Sequence, residues 1–126
     1  MSYEDQRFAI RFSPRARREL DEARVRLAEI TDPDHAYEWY NGFLDALALL
    51  ADNPNRNAVA YESRFFRETV HAFSYRLTVR GVAYRVFYTI TEPKEDAPIV
   101  SLMHIRHASR KPMTRREARE IETDTQ

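Results

Sequence analysis

Tyr75-Arg-Leu-Thr-Val-Arg-Gly-Val-Ala-Tyr-Arg-Val-Phe-Tyr88, YRLTVRGVAYRVFY in one-letter code, alternates apolar and polar residues on both sides of Gly81. A period of two marks half-buried β-structure, and a glycine between two such runs marks a hairpin. Phe73, Tyr75, Leu77 and Val79 share one face, while Ser74, Arg76, Thr78 and Arg80 share the other. With Arg80-Gly81 as the turn, Val79 lies opposite Val82 and Arg76 opposite Arg85. Like charges facing each other across an antiparallel pair cost about 0.2–1 kcal/mol. A phosphate held between the two guanidinium forks would turn that cost into attraction through bidentate hydrogen bonds. A bulge at Gly81 would slide the pair apart without taking either arginine off the face.

Working outward, Tyr84, Val86, Tyr88 and Ile90 continue the apolar face, which makes it the core side. Strands are predicted at about 71–80, 82–92 and 98–107, with Glu92-Pro-Lys-Glu-Asp-Ala-Pro98 as a polar hairpin loop. Upstream, Phe8, Ile10 and Phe12 alternate with Arg7, Ala9 and Arg11 as a first strand. Ser13-Pro14 reads as N-cap and first helical residue, followed by Ala16, Leu20, Ala23, Leu27 and Ile30 at helical spacing. Thr31-Asp-Pro-Asp34 breaks that helix, and Asp34 is the expected cap of a second. The second helix carries Ala36, Trp39, Tyr40, Phe43, Leu47, Leu50 and Ala51 on its apolar stripe. Residues 53–69 lack a period and read as loop, anchored by Phe65 and Phe66. Thr114-Arg-Arg-Glu117 has capping-box spacing and opens a short basic helix. The order is β-α-α-β-β-β. An α+β fold follows: an antiparallel sheet with a helical hairpin packed on one face and a short C-terminal helix. One domain is expected over residues 1–126, with its core at about 7–112 and a basic tail at 113–126.

Charge is uneven along the chain. Residues 1–55 carry 7 Lys/Arg against 11 Asp/Glu, and residues 56–119 carry 13 against 6. Because potential acts locally, the basic strand region points to an anionic partner. With no cysteine, a disulfide scaffold or a Cys-ligated metal is excluded. No apolar run approaches a membrane span, so a cytoplasmic protein without membrane contact is expected. With Gly42 and Gly81 as its two glycines, the chain has no phosphate-cradling glycine loop.

The sheet face opposite the core should present Arg76, Thr78, Arg80 and Arg85 together. A single surface arginine is most simply solvated; the opposed pair is what points to a ligand. The last strand ends in His107-Ala-Ser-Arg110, placing an imidazole and a guanidinium at the sheet edge. An imidazole exchanges protons near neutrality, so His107 is a candidate acid or base, with a backbone-bonded strand-end histidine as the plainer alternative. His104 and His107, three apart on a strand, face opposite sides and make no metal pair. No metal or other cofactor is expected. The Arg15-Ala-Arg17-Arg18 cluster is most simply a solvated helix face.

The element order, with Tyr84-Arg-Val-Phe-Tyr88, His104-Ile-Arg-His-Ala-Ser-Arg110 and the segment of Glu62-Ser63 with Phe65 or Phe66, resembles the RelE/ParE toxin superfamily of type II toxin–antitoxin systems. The resemblance implies a toxin neutralised by a cognate protein antitoxin. RelE-like members cut mRNA at the ribosome, whereas ParE-like members bind and poison DNA gyrase. On the first reading, slightly preferred here, the chain is a metal-independent, ribosome-dependent endoribonuclease. Arg76, Arg85 and Arg110 would then stabilise transition-state charge and His107 would transfer a proton. Arg80, Arg106, Lys111 and Arg115 would hold the RNA. Thr78 stands where some nucleases of the group carry a second basic residue, and net charge is zero. Gyrase inhibition, or a non-toxic nucleic-acid-binding relative, therefore stays open.

Overall fold

The computed structural model describes residues 7–78, 81–93 and 97–125. Strand β1 (Ala9–Phe12) leads into helices α1 (Pro14–Ile30) and α2 (Pro33–Asp52). Two short 3-10 turns, Pro54–Arg56 and Tyr61–Phe65, precede strands β2 (His71–Tyr75), β3 (Tyr84–Thr91) and β4 (Ile99–His107), and helix α3 (Arg115–Thr125) follows. Strands β2, β3 and β4 are antiparallel neighbours. Strand β1 joins β4 in parallel, giving the sheet order β1-β4-β3-β2. The α+β class holds, with β1 making the sheet mixed.

Local chemistry sets the helix starts. The Ser13 hydroxyl accepts the Ala16 N–H at 3.0 Å, with Pro14 in the first helical position. Helix α2 is capped by Asp32 rather than Asp34: the Asp32 carboxylate accepts the His35 N–H at 2.8 Å. Pro33 takes the first helical position, and that moves the cap one residue before it. Asp34 instead lies in the first turn, where the helix dipole favours an acid.

The β2–β3 hairpin is wider than the sequence suggests. Pairing ends at Tyr75↔Tyr84, two residues short of the expected register. Arg85 lies opposite Ser74, and Arg76 falls beyond the end of β2. A two-residue turn at Arg80-Gly81 would need a left-handed arginine, because type I′ requires positive φ at both central positions. Gly81 does not adopt positive φ, and its N–H donates to the Thr78 carbonyl at 2.9 Å. The wider loop also takes Arg76 out of the ladder position opposite Arg85.

Both faces of the sheet are covered. The first packs on the helical hairpin through Val86, Tyr88, Val100, Leu102 and Ile105, against Leu20, Trp39, Phe43 and Leu47. Here Tyr75 donates its hydroxyl to the Trp39 carbonyl at 2.9 Å, and its ring meets Phe43 edge-on at 5.4 Å. Gly42 permits this approach, since a Cβ there would lie 2.3 Å from the Tyr75 hydroxyl oxygen. The second face packs on α3 and the Tyr61–Phe65 turn, through Phe87 and Met103 against Val70, Met113, Ala118 and Ile121. Phe65 and Phe66 anchor there. The face expected to present the arginines together is therefore largely roofed.

Candidate functional site

Arg85 has another arginine opposite it, but on β4: the ladder pairs Arg85 with Arg106. Each of these two cations meets an internal carboxylate. Arg85 forks onto Glu62, with Nη1 donating to Oε2 and Nη2 to Oε1 at 3.0 Å. Its guanidinium also lies over the Phe87 ring at 4.7 Å. Arg106, nearly sealed from solvent, donates to Glu117 Oε1 at 3.0 Å and to the Lys111 carbonyl at 2.6 Å. Arg110 reaches the other oxygen of Glu117 at 2.6 Å. A buried guanidinium without such partners would be prohibitively costly, which is why the carboxylates follow the arginines inside.

The carboxylates respond in kind. Burial pushes Glu62 up, and this is the largest single effect. The Arg85 hydrogen bond, a backbone hydrogen bond and the charges of Arg85 and Arg106 together outweigh it and hold the carboxyl below its ordinary value. Glu117 behaves likewise: burial raises it, and the Arg106 hydrogen bond with the charges of Arg106 and Arg110 brings it lower. The network continues into α1. His104, fully buried, places Nδ1 2.8 Å from one Glu19 oxygen and 3.0 Å from the other. Arg106 Nη1 lies 3.5 Å from His104 Nε2, a contact that makes Nε2 the acceptor and Nδ1 the proton carrier.

His107 faces the other side of β4, opposite Tyr84. Its Nδ1 accepts the Ser109 N–H at 3.1 Å and lies 2.6 Å from the Ser109 hydroxyl oxygen. An imidazole accepting at Nδ1 carries its proton at Nε2 when neutral. Nε2 is then a donor, and charging the ring would break the Ser109 N–H bond. That suits hydrogen-bond donation better than proton shuttling.

At this end of the sheet a cleft of about 660 Å³ lies among the α1–α2 corner, the hairpin loop and the end of β4. His107 and Arg110 line it together, with Arg26, His35, Trp39 and Tyr84. Among the described residues, no group of His, Asp and Glu gathers that could hold a metal ion. No helix among them is long and apolar enough to cross a membrane.

A family model described as the ParE toxin of type II toxin-antitoxin system, parDE, matches residues 10–112. The chain belongs to the ParE toxin family. It is thus the toxin of a type II toxin–antitoxin system, and the family implies a cognate antitoxin as partner. No curated protein and no solved structure matches the chain.

The remaining sequence-derived residues of the toxin are dispersed. Arg76 is exposed beyond β2, and Arg80 lies outside the described residues. Lys111 is exposed between β4 and α3, tied to Arg106 through its carbonyl. Arg115 opens α3, its guanidinium 5.1 Å from the Phe65 ring. Periodicity missed the counter-ions. Glu62-Ser63 was visible as a motif, and its work here is structural: Glu62 holds Arg85, and the Ser63 hydroxyl accepts the Val70 N–H at 2.9 Å. The Thr114 hydroxyl accepts the Glu117 N–H at 3.1 Å, as the capping spacing implied, but the Glu117 carboxylate is committed to Arg106 and Arg110. Arg15, read as solvated, bonds Asp124 at 2.7 Å and ties α1 to α3.

Proposed function

We propose that this toxin arrests growth by binding a protein target, DNA gyrase as in ParE-like members, rather than by cutting mRNA. One observation carries the reading: Arg85, Arg106 and Arg110 each contact an internal carboxylate. A nuclease needs cations available to the charge that develops on a phosphorane. For Arg85 to take a phosphate it would have to leave Glu62, whose side chain is only 8% exposed, uncompensated. The Ser109 contacts of His107 argue the same way. Internal pairing thus moves the preference from cleavage to binding. Ribosome-dependent mRNA cleavage is the second reading, favoured by His107 and Arg110 lining one cleft.

The two readings separate in purified systems. Added to gyrase and relaxed plasmid, the toxin is expected to block supercoiling and to leave mRNA on translating ribosomes intact. Cuts in ribosome-bound mRNA with unimpaired supercoiling would overturn the proposal.

A further inference from the structure

The cleft beside His107 has a composition that the gyrase-binding reading does not use. Its walls include Trp39, Tyr84 and the aliphatic residues Leu27 and Leu77, and its polar groups include Arg26, His35, His107 and Arg110. No aspartate or glutamate lines it among the described residues. Arg110 is partly compensated by Glu117, so Arg26 is the principal cation: it is exposed and has no carboxylate within ion-pair distance among the described residues. Arg26 also borders a groove that contains Glu22 and Glu29, neither of them paired with it.

Two independent features point to a ligand. The Trp39 indole Nε1–H is buried and has no hydrogen-bond acceptor. Such a donor is costly while unsatisfied, and a ligand oxygen that reached it would remove that cost. The second is a chain of rings running from the core to the cleft: Trp39 meets Tyr84 edge-on at 5.3 Å, and Tyr84 meets His107 at 5.4 Å. At its outer end His107 offers Nε2–H as a donor. Burial raises the Tyr84 hydroxyl and the nearby charge of Arg26 lowers it, with burial prevailing; Tyr84 is therefore a neutral donor beside a cation.

We infer that this cleft is a binding site for a small organic anion with a planar body, of the size and chemistry of a nucleoside monophosphate. Its oxyanion is recognised by Arg26 and His107, and its ring rests against the apolar wall. The volume lies within the range of small-molecule sites. Hydroxyls of Thr31, Thr78 and Ser109 supply polar partners for a sugar or base. The site is distinct from the Arg85–Glu62 face and is not needed for the gyrase-binding reading; His107 and Arg110 are the residues it shares with the mRNA-cleavage reading.

Trp39 is the sole tryptophan, so its emission reports directly on the cleft. The intact toxin is titrated with AMP, GMP and UMP, with adenosine and inorganic phosphate as half-ligands and indole-3-acetate as an aromatic carboxylate. Saturable change with a monophosphate, and much weaker response to either half-ligand, is expected. If indole-3-acetate outcompetes every nucleotide, the nucleotide assignment falls. Arg26→Ala should weaken binding by about tenfold or more, the worth of one charge-assisted hydrogen bond. Calorimetry on Trp39→Phe, which keeps an aromatic wall and removes the N–H, should show weaker binding by a folded protein. No saturable response at millimolar ligand, or one unchanged in Arg26→Ala, overturns the proposal. Gyrase assays run separately, so loss of either claim leaves the other standing.

Discussion

Against the helical hairpin the sheet presents Val86, Tyr88, Val100, Leu102 and Ile105, a continuous apolar surface. Against α3 it presents Phe87 and Met103 with Arg85, His104 and Arg106 set among them. The first face is built on transfer of apolar area from water, which is non-directional. The second is built on directional pairs, in which each hydrogen-bond donor must meet a particular acid from another segment: Glu62, Glu117 or Glu19. Apolar faces tolerate shape changes poorly; ionic faces tolerate the loss of one partner poorly.

The largest test of that contrast is Phe43→Ala on the hairpin side. Phe43 is fully buried and packs on Trp39 and Tyr75, so truncation is expected to cost about 3–5 kcal/mol. Thermal denaturation should show a midpoint drop of more than about 10 °C. A drop of only a few degrees would mean that the hairpin face is not the main source of stability.

Gly42→Ala probes the same face at finer grain. The new methyl meets the Tyr75 hydroxyl oxygen at 2.3 Å and Leu77 at 3.2 Å, for an expected cost of about 1–3 kcal/mol. In a Tyr75→Phe background the tightest clash disappears, and the helix preference for alanine should make the change neutral or stabilising. Equal cost in both backgrounds would place the strain elsewhere.

The third test moves to the ionic face. Glu62→Gln keeps the shape and removes the charge that holds Arg85. Because the Arg85 side chain is 32% exposed, we expect about 1–2 kcal/mol, less than for a fully buried pair. The same variant should bind single-stranded RNA more tightly in a filter-binding assay, since Arg85 is then available to phosphate. Unchanged stability and unchanged RNA affinity together would show that the pair does not organise this face.

Legibility in the sequence followed the same division. The β-α-α-β-β-β order, the hairpin-facing core and the Ser13 cap were readable because apolar period and capping chemistry are local. Arg85 and Arg106 were each visible as basic strand residues, but a periodicity of two cannot say which acid 23 or 11 residues away will come to lie on them. The Arg76–Arg85 pairing failed at the turn, where a glycine in the second position was asked to carry an arginine through positive φ. The cleft was invisible for a related reason: Arg26, Trp39 and His107 belong to three elements, and only packing brings them to one wall.

The smallest expected effect separates the faces by pH alone. Glu62 and Glu117 both titrate below the ordinary value of 4.5 in the folded chain. A carboxyl depressed by folding stabilises the native state above its unfolded value, and that stabilisation is lost as pH falls through the folded value. Neutralising Glu62 leaves Arg85 and Arg106 opposite each other without screening, and protonating Glu117 does the same for Arg106 and Arg110. Urea midpoints should therefore be flat from neutrality to about pH 5 and fall below about 4.5 as the two groups titrate. Glu117→Gln should start lower and lose part of that acid slope, whereas Phe43→Ala should start lower with the slope intact. If both variants kept the wild-type slope, the acid sensitivity would belong to exposed carboxylates, and the ionic face would be no more pH-dependent than the apolar one.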